Sequence, residues 1–393
     1  MNPKPQLEAR HHPSGLNSRF EGEGLPFADY VARSREMLAL AHARLGSSEA
    51  ERRVAGNAPF ALMPSAFQPG TNKPFRRGVL LVHGLTDSPY FMRHLGAFFA
   101  DNGFRVMAIL LPGHGTQPGD LRAIAWQEWA QAVAYGVDSL AAEVDEVYLA
   151  GFSAGAALNI LHSLDDARVR GLLLFSPALE LPVRAKYAHW HRWYSWLIPS
   201  AKWAYIRPDA DIYKYESLSK NSVAQMYALS KALGARLQHR DLDIPVFAAA
   251  SADDVTVHTS ATLGFMARAR HPCSRLVLYT TMPDDPPAGF APERLELVNS
   301  VVPQQRIISS AHTAIVLPPD DPHYGAAGEY VNCQHYYKDD LEKYDACKNV
   351  SGGAQQGEIS ETNLKTGILR RLMYNPNFAA LKVSLKRFID HLG

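Results

Sequence analysis

The five residues Gly151-Phe152-Ser153-Ala154-Gly155 follow the apolar run Val147-Tyr148-Leu149-Ala150 and precede a helix-forming stretch, Ala156 to His162. A serine between two glycines at a strand-to-helix turn is placed for nucleophilic attack. The glycines have a steric role, because a sharp turn brings backbone segments together where side chains would collide. The helix behind the serine directs the positive end of its dipole at charge developing during attack. A second element, His83-Gly84-Leu85, closes the apolar run Val79–Val82. The backbone N–H after that glycine can face a substrate carbonyl oxygen, with a second N–H from the residue after the nucleophile. Leu85 and Ala154 are therefore the expected oxyanion donors, through main-chain groups alone. The His83 side chain is expected to be held by local hydrogen bonds, since this chemistry needs the amide and not the imidazole.

A third motif, Leu111-Pro112-Gly113-His114-Gly115-Thr116, completes a trio with His83-Gly84 and Gly151-Phe152-Ser153-Ala154-Gly155. In order and spacing the trio resembles the α/β-hydrolase-fold carboxylesterases and monoacylglycerol lipases, a serine aminopeptidase-like family. The resemblance covers roughly Gly78 to Leu181, Ile244 to Val316 and the terminal helix. It implies the chain order Ser, acid, His. The family's acid stands at a strand end, three residues before an apolar position. In Ser251-Ala252-Asp253-Asp254-Val255-Thr256-Val257 that register selects Asp254, with Asp253 as the alternative. The family's histidine sits in a small-residue loop beyond the last strand, which selects His312 in Ser309-Ser310-Ala311-His312-Thr313, with His323 as the rival. The spacing from acid to base exceeds what the fold needs, and the Pro-rich stretch Met282 to Gln305 reads as an extra loop that absorbs the surplus.

With the resemblance, these groups point to a serine hydrolase cleaving carboxylic esters through an acyl-enzyme, and the aromatic-rich segment 182–243 points to short to medium apolar acyl chains. Thioester, amide or small-peptide hydrolysis would use the same triad, and a slow-turnover receptor could keep the same fold. Serine at the nucleophile position excludes haloalkane dehalogenases and epoxide hydrolases, which use aspartate there. No HExxH or other ligand cluster argues for a metal, and no G-x-G-x-x-G after a strand argues for a nucleotide cofactor. No cofactor is expected.

The elements that must carry these residues are legible as short, continuously apolar runs: Val79–Val82, Phe104–Leu110, Glu146–Ala150, Leu172–Phe175, Val246–Ala250 and Arg275–Thr280. Runs without polar alternation suit strands buried on both faces, so a mostly parallel central sheet flanked by helices is expected. Trp126, Trp129, Val133, Val137 and Leu140 form a helical stripe suited to a crossover. Phe27, Tyr30, Val31, Ser34, Leu38, Ala41 and Leu45 form another after an irregular start. The resulting division is an N-terminal extension with one amphipathic helix (1–70), a hydrolase core in two parts (71–181 and 244–317), an aromatic-rich helical cap (182–243), an insertion (318–377) and a last core helix (378–393). That helix is expected to bury Phe378, Leu381, Val383, Leu385 and Phe388, with Asn377 or Asn375 as its cap. No strand signal stands in the cap segment. Trp190, Trp193, Trp196 and Trp203 are its candidates for lining an acyl pocket.

Composition agrees with a globular chain. Of 393 residues, 47% are hydrophobic and 20% charged, which excludes a disordered chain. The net charge of +1 offers no electrostatic case for nucleic acid or an anionic membrane. No apolar run reaches the ~20 residues of a membrane helix, and Met1 to His12 lacks the apolar core of a signal peptide. The partner expected is a small-molecule ester, with the compartment cytoplasmic as written. Cys333 and Cys347 stand 14 positions apart in a segment poor in hydrophobic residues. They are equally readable as free thiols or as a disulfide worth roughly 3 kcal/mol. A bonded pair would point to a periplasmic or secreted protein.

Overall fold

The structure, a computed structural model, describes residues 7–182, 199–337, 339–350 and 353–392. The elements run α1 (Phe27–Arg44), α2 (Ala50–Asn57), β1 (Phe60–Leu62), β2 (Phe75–Val82), α3 (Arg93–Asp101), β3 (Arg105–Ile109), α4 (Trp126–Glu143), β4 (Val144–Phe152), α5 (Ala154–Ser163) and β5 (Val169–Phe175). After these come β6 (Trp203–Tyr205), β7 (Leu218–Ser219), α6 (Lys220–Leu237), β8 (Val246–Ser251), α7 (Thr259–Arg268), β9 (Arg275–Thr280) and β10 (Leu295–Asn299). The chain ends with α8 (Leu341–Asn349), β11 (Gln355–Gly357), β12 (Leu369–Arg371) and α9 (Phe378–Asp390). Among the described residues no helix is long and apolar enough to cross a membrane.

Two compact units divide the chain. The first comprises Met1–Arg170 and Pro182–Gln238. Its sheet strands lie in the order β1-β3-β2-β4, with β2 parallel to both β3 and β4 and only β1 antiparallel. Val79 to Val82 of β2 are fully buried, as continuous apolar runs require of a strand covered on both faces. The α4 stripe buries Trp129, Val133, Val137 and Leu140. Gly136 lets that helix approach closely, since a Cβ there would stand 2.7 Å from Leu80. α1 starts at the expected Phe27 and buries Phe27, Tyr30, Ser34, Leu38 and Ala41. The segment before it has little regular structure, yet it is tied down. Ser14 donates from its N–H and hydroxyl to Asp120, Asn17 donates to the His114 carbonyl, and the Phe20 N–H donates to Glu128.

The second unit comprises Gly171–Leu181 and His239–Gly393. Its strands, β5-β8-β9-β10, are all parallel. α9 packs Phe388 on Phe247 of β8 with ring centroids 5.5 Å apart. Asn377 holds its N-cap position.

Several expectations need correction. β10 lies inside the stretch read as an extra loop and pairs with β9 from Leu295↔Leu276 to Asn299↔Thr280. None of its residues is buried, so it lacks the continuous apolar run that marked the others. β6 and β7 form an antiparallel ribbon in the segment that carried no strand signal. Val383 is 50% exposed, and Ile389 and Ser384 take its place in the buried face of α9. Cys333 and Cys347 are joined as a disulfide, the second of their two readings.

Candidate active site

In the first unit β4 runs into Ser153, which stands at φ 53° and ψ −111° directly before α5. A non-glycine residue at positive φ is strained, and neighbours must hold it there. The glycines around it explain how. A Cβ on Gly155 would lie 2.2 Å from the Val82 carbonyl oxygen, and one on Gly151 would lie 2.6 Å from the Ala156 nitrogen. The elbow is therefore pressed against the end of β2, leaving Ser153 8% exposed. Ala154 opens α5, where an N–H has no acceptor within the helix.

The loop after β2 packs on this elbow, since a Cβ on Gly84 would come 3.2 Å from that of Ser153. Leu85 follows, and Thr86 takes φ 67°. Two residues that the sequence reading missed hold this loop. Asp87 is buried and ion-paired to Lys214, and Lys214 also donates to the Thr86 hydroxyl at 3.0 Å. The Tyr215 N–H donates to the Thr86 carbonyl at 2.9 Å. No motif marks Lys214, whose partner lies 127 positions away.

His83 has the structural role expected of it. Its Nε2 accepts the Leu111 N–H at 3.1 Å, so Nδ1 carries the proton and donates to the Gly84 carbonyl at 2.8 Å. Burial, reinforced by neighbouring His114, pushes its pKa well down and keeps the ring neutral. It thereby ties the loop after β2 to the Leu111–Gly115 loop. His114 donates from Nδ1 to the Pro112 carbonyl at 3.0 Å. Burial pushes it down to about 4. Gly113 and Gly115 of that loop stand at φ 83° and 77°, a region that L side chains avoid.

In the second unit Asp254 lies on the turn after β8. Its Oδ1 accepts the N–H groups of Thr256 at 2.7 Å and Val257 at 3.1 Å, and its Oδ2 lies 2.6 Å from His312 Nδ1. Burial pushes this carboxyl up, but the His312 contact and the two N–H donors outweigh it, and the net pKa is lowered. The His312 N–H donates to Glu358 Oε2 at 2.9 Å, and its carbonyl accepts the Ser176 hydroxyl at 3.2 Å. Neither rival joins this pair. Asp253 faces Thr281, and burial raises its pKa. His323 lies 3.4 Å from Glu329, between Tyr324 and Tyr330. Among the described residues no group of three or more His, Cys, Asp or Glu side chains could hold a metal ion.

Of the four tryptophans expected to line a pocket, Trp190, Trp193 and Trp196 lie outside the described residues. Trp203 is buried edge-on against His11, with ring centroids 5.2 Å apart.

Comparison with known proteins places this chain in a family. A thermostable monoacylglycerol lipase of Bacillus sp. (strain H-257) is 31% identical over 108 residues, which is 28% of this chain and 43% of that protein. The match thus spans less than half the length of that relative. One of two metagenome-derived lipolytic enzymes, LipS and LipT, matches 57% of this chain and 87% of its own at 20% identity and a TM-score of 0.46. The monoacylglycerol lipase of Paleococcus ferrophilus matches 59% of this chain and 93% of its own at 16% identity and a TM-score of 0.42. The family model described as serine aminopeptidase, S33, matches residues 73–283, more than half of the chain. That span takes in the elbow, the loop after β2 and Asp254, and ends before His312. With its glycine-flanked serine and its mostly parallel sheet, the chain belongs to the serine aminopeptidase, S33, family of α/β hydrolases.

Proposed function

We propose that the protein is a serine hydrolase of carboxylic esters, with Ser153 as nucleophile, His312 as base and Asp254 as the acid that orients it. The observation that carries this reading is the 2.6 Å contact from His312 Nδ1 to Asp254 Oδ2. With Nδ1–H given to the carboxylate, Nε2 is left as a base. It takes the Ser153 proton as Oγ attacks the ester carbonyl, and the carboxylate stabilises the imidazolium. The N–H groups of Leu85 and Ala154 receive the developing oxyanion. The imidazolium protonates the departing alcohol and leaves an acyl-enzyme on Ser153. Water, deprotonated by the same imidazole, then releases the acid and restores the serine.

The relative named a monoacylglycerol lipase favours an ester with one apolar acyl chain and a small alcohol. Residues 182–243 act as a cap in this reading and limit the length of acyl chain that the site accepts, without Trp203, which is buried against His11. Each buried methylene is worth about 0.8 kcal/mol until the pocket is full. For p-nitrophenyl esters of two to sixteen carbons, kcat/KM should rise to short or medium chains and then fall. A profile still climbing at sixteen carbons would overturn the closed cap. The family description also favours a second reading, small-peptide hydrolysis on the same triad. Cleavage of aminoacyl p-nitroanilides faster than of any p-nitrophenyl ester would select it. A single slow turnover would select the receptor. The Cys333–Cys347 bond supports an oxidising compartment.

A further inference from the structure

One ion pair in the second unit, its carboxylate buried and its guanidinium partly exposed, touches both loops of the Asp254–His312 pair. Glu358 follows β11 and has no exposed side-chain surface. Its Oε1 lies 3.0 Å from Arg371 Nη2, at the end of β12, and its Oε2 accepts the His312 N–H at 2.9 Å. Arg371 Nη2 also donates to the Thr256 hydroxyl at 2.6 Å. Thr256 in turn donates its own N–H to Asp254 Oδ1 at 2.7 Å. The negative charge therefore grips the main chain of the histidine, and its counter-charge grips the loop of the acid. Further hydrogen bonds lock the same elements. The Glu358 N–H donates to the Ser309 hydroxyl at 2.9 Å, the Ile308 N–H to the Gln356 carbonyl at 2.9 Å, and the Thr313 hydroxyl to the Leu372 carbonyl at 2.7 Å.

We propose that Glu358 and Arg371, both from the segment 318–377, are positioning residues that fix His312 against Asp254. The proposal rests on the triad reading above. A buried ion pair gains little stability, because desolvation offsets most of its Coulomb attraction. Its value here is geometric: charge-assisted hydrogen bonds are short and strong, and each charge reaches a different loop. A misplacement of about 1 Å in such a pair can cost on the order of a hundredfold in rate.

The test measures kcat and KM for p-nitrophenyl butyrate, with kcat taken per active site titrated by a serine-directed phosphonate. Glu358→Gln and Arg371→Met should fold and lose at least tenfold in kcat, with KM changed less than twofold. Arg371→Lys should recover part of the loss, because it restores the charge without the second hydrogen bond. Thr256→Val, at a partly exposed position, removes only the anchor on the acid's loop and should lower kcat severalfold even if the charge variants do not fold. A kcat within twofold of the parent in Thr256→Val and in every folded charge variant would overturn the proposal, whatever happens to their melting temperatures. Retained turnover in Ser153→Ala would instead remove the triad reading itself, so the two failures are distinguishable.

Discussion

Three buried imidazoles in or near the candidate catalytic motifs have different surroundings because their ring nitrogens face different atoms. His83 and His114 face carbonyls and are held neutral by burial, so they brace loops. His312 gives Nδ1 to a carboxylate, and that makes it the candidate base. The preference for Asp254 over Asp253 came from the register of the family that the sequence resembles, three residues before the apolar Val257, and in the structure Asp254 accepts the N–H groups of Thr256 and Val257. The Lys214–Asp87 pair was not legible, because a long-range ion pair leaves no local pattern. Ser153→Ala and His312→Ala should each lower kcat about a millionfold, and Asp254→Asn somewhat less. Circular dichroism should find all three folded. Near-normal activity in Asp254→Asn, with loss in Asp253→Asn, would show the wrong acid. Retained activity in His312→Ala would move the base, with His323 tested first.

Among the elements, the turn at Ser153 has the tightest tolerance. Gly155→Ala adds a Cβ 2.2 Å from the Val82 oxygen, a backbone atom that cannot move without shifting β2. It should cost about 3 kcal/mol in urea unfolding, whereas Gly234→Ala, inside α6 and with a Cβ that meets nothing within 4 Å, should stabilise by about 0.5–1 kcal/mol. The disulfide belongs to the same scale. Cys333 and Cys347 share a small core with Tyr336 and Tyr344, beside β12 and its Arg371. Arg370 donates to the Cys347 carbonyl at 3.0 Å, and the Arg371 N–H donates to that of Asn332 at 2.9 Å. Replacing both cysteines by serine should cost roughly 3 kcal/mol. Mass spectrometry of unreduced peptides checks the bond directly, and two free thiols after expression under oxidising conditions would contradict it. The six apolar runs found as strands share one cause, burial on both faces. β1, β6, β7, β10, β11 and β12 escaped because partly exposed or very short strands need no such run.

At the scale of the molecule, stability should depend on acidity through histidines that the fold buries without charge. His42 donates from Nε2 to the Gly115 carbonyl at 3.0 Å, joining α1 to the Leu111–Gly115 loop. Burial, then the nearby Arg53, pushes its pKa down to about 4, and burial brings His114 to about 4 as well. The unfolded chain binds these protons near pH 6.5 and the folded chain only near 4. Their contribution is therefore complete above about pH 6.5 and is lost as the pH falls toward 4, by about 3 kcal/mol for each. The urea midpoint should fall across that window, and His42→Gln, which can keep the bond to Gly115, should flatten part of the fall. An unchanged slope in that variant would show that His42 titrates normally. The central claim, that Ser153 is the nucleophile of an ester hydrolase, has a more direct test. The protein is treated with a fluorophosphonate, digested and sequenced by mass spectrometry while p-nitrophenyl butyrate turnover is followed. One adduct on Ser153, formed in step with complete loss of turnover, is the predicted result. An adduct on another residue, or turnover that survives full labelling of Ser153, would contradict it.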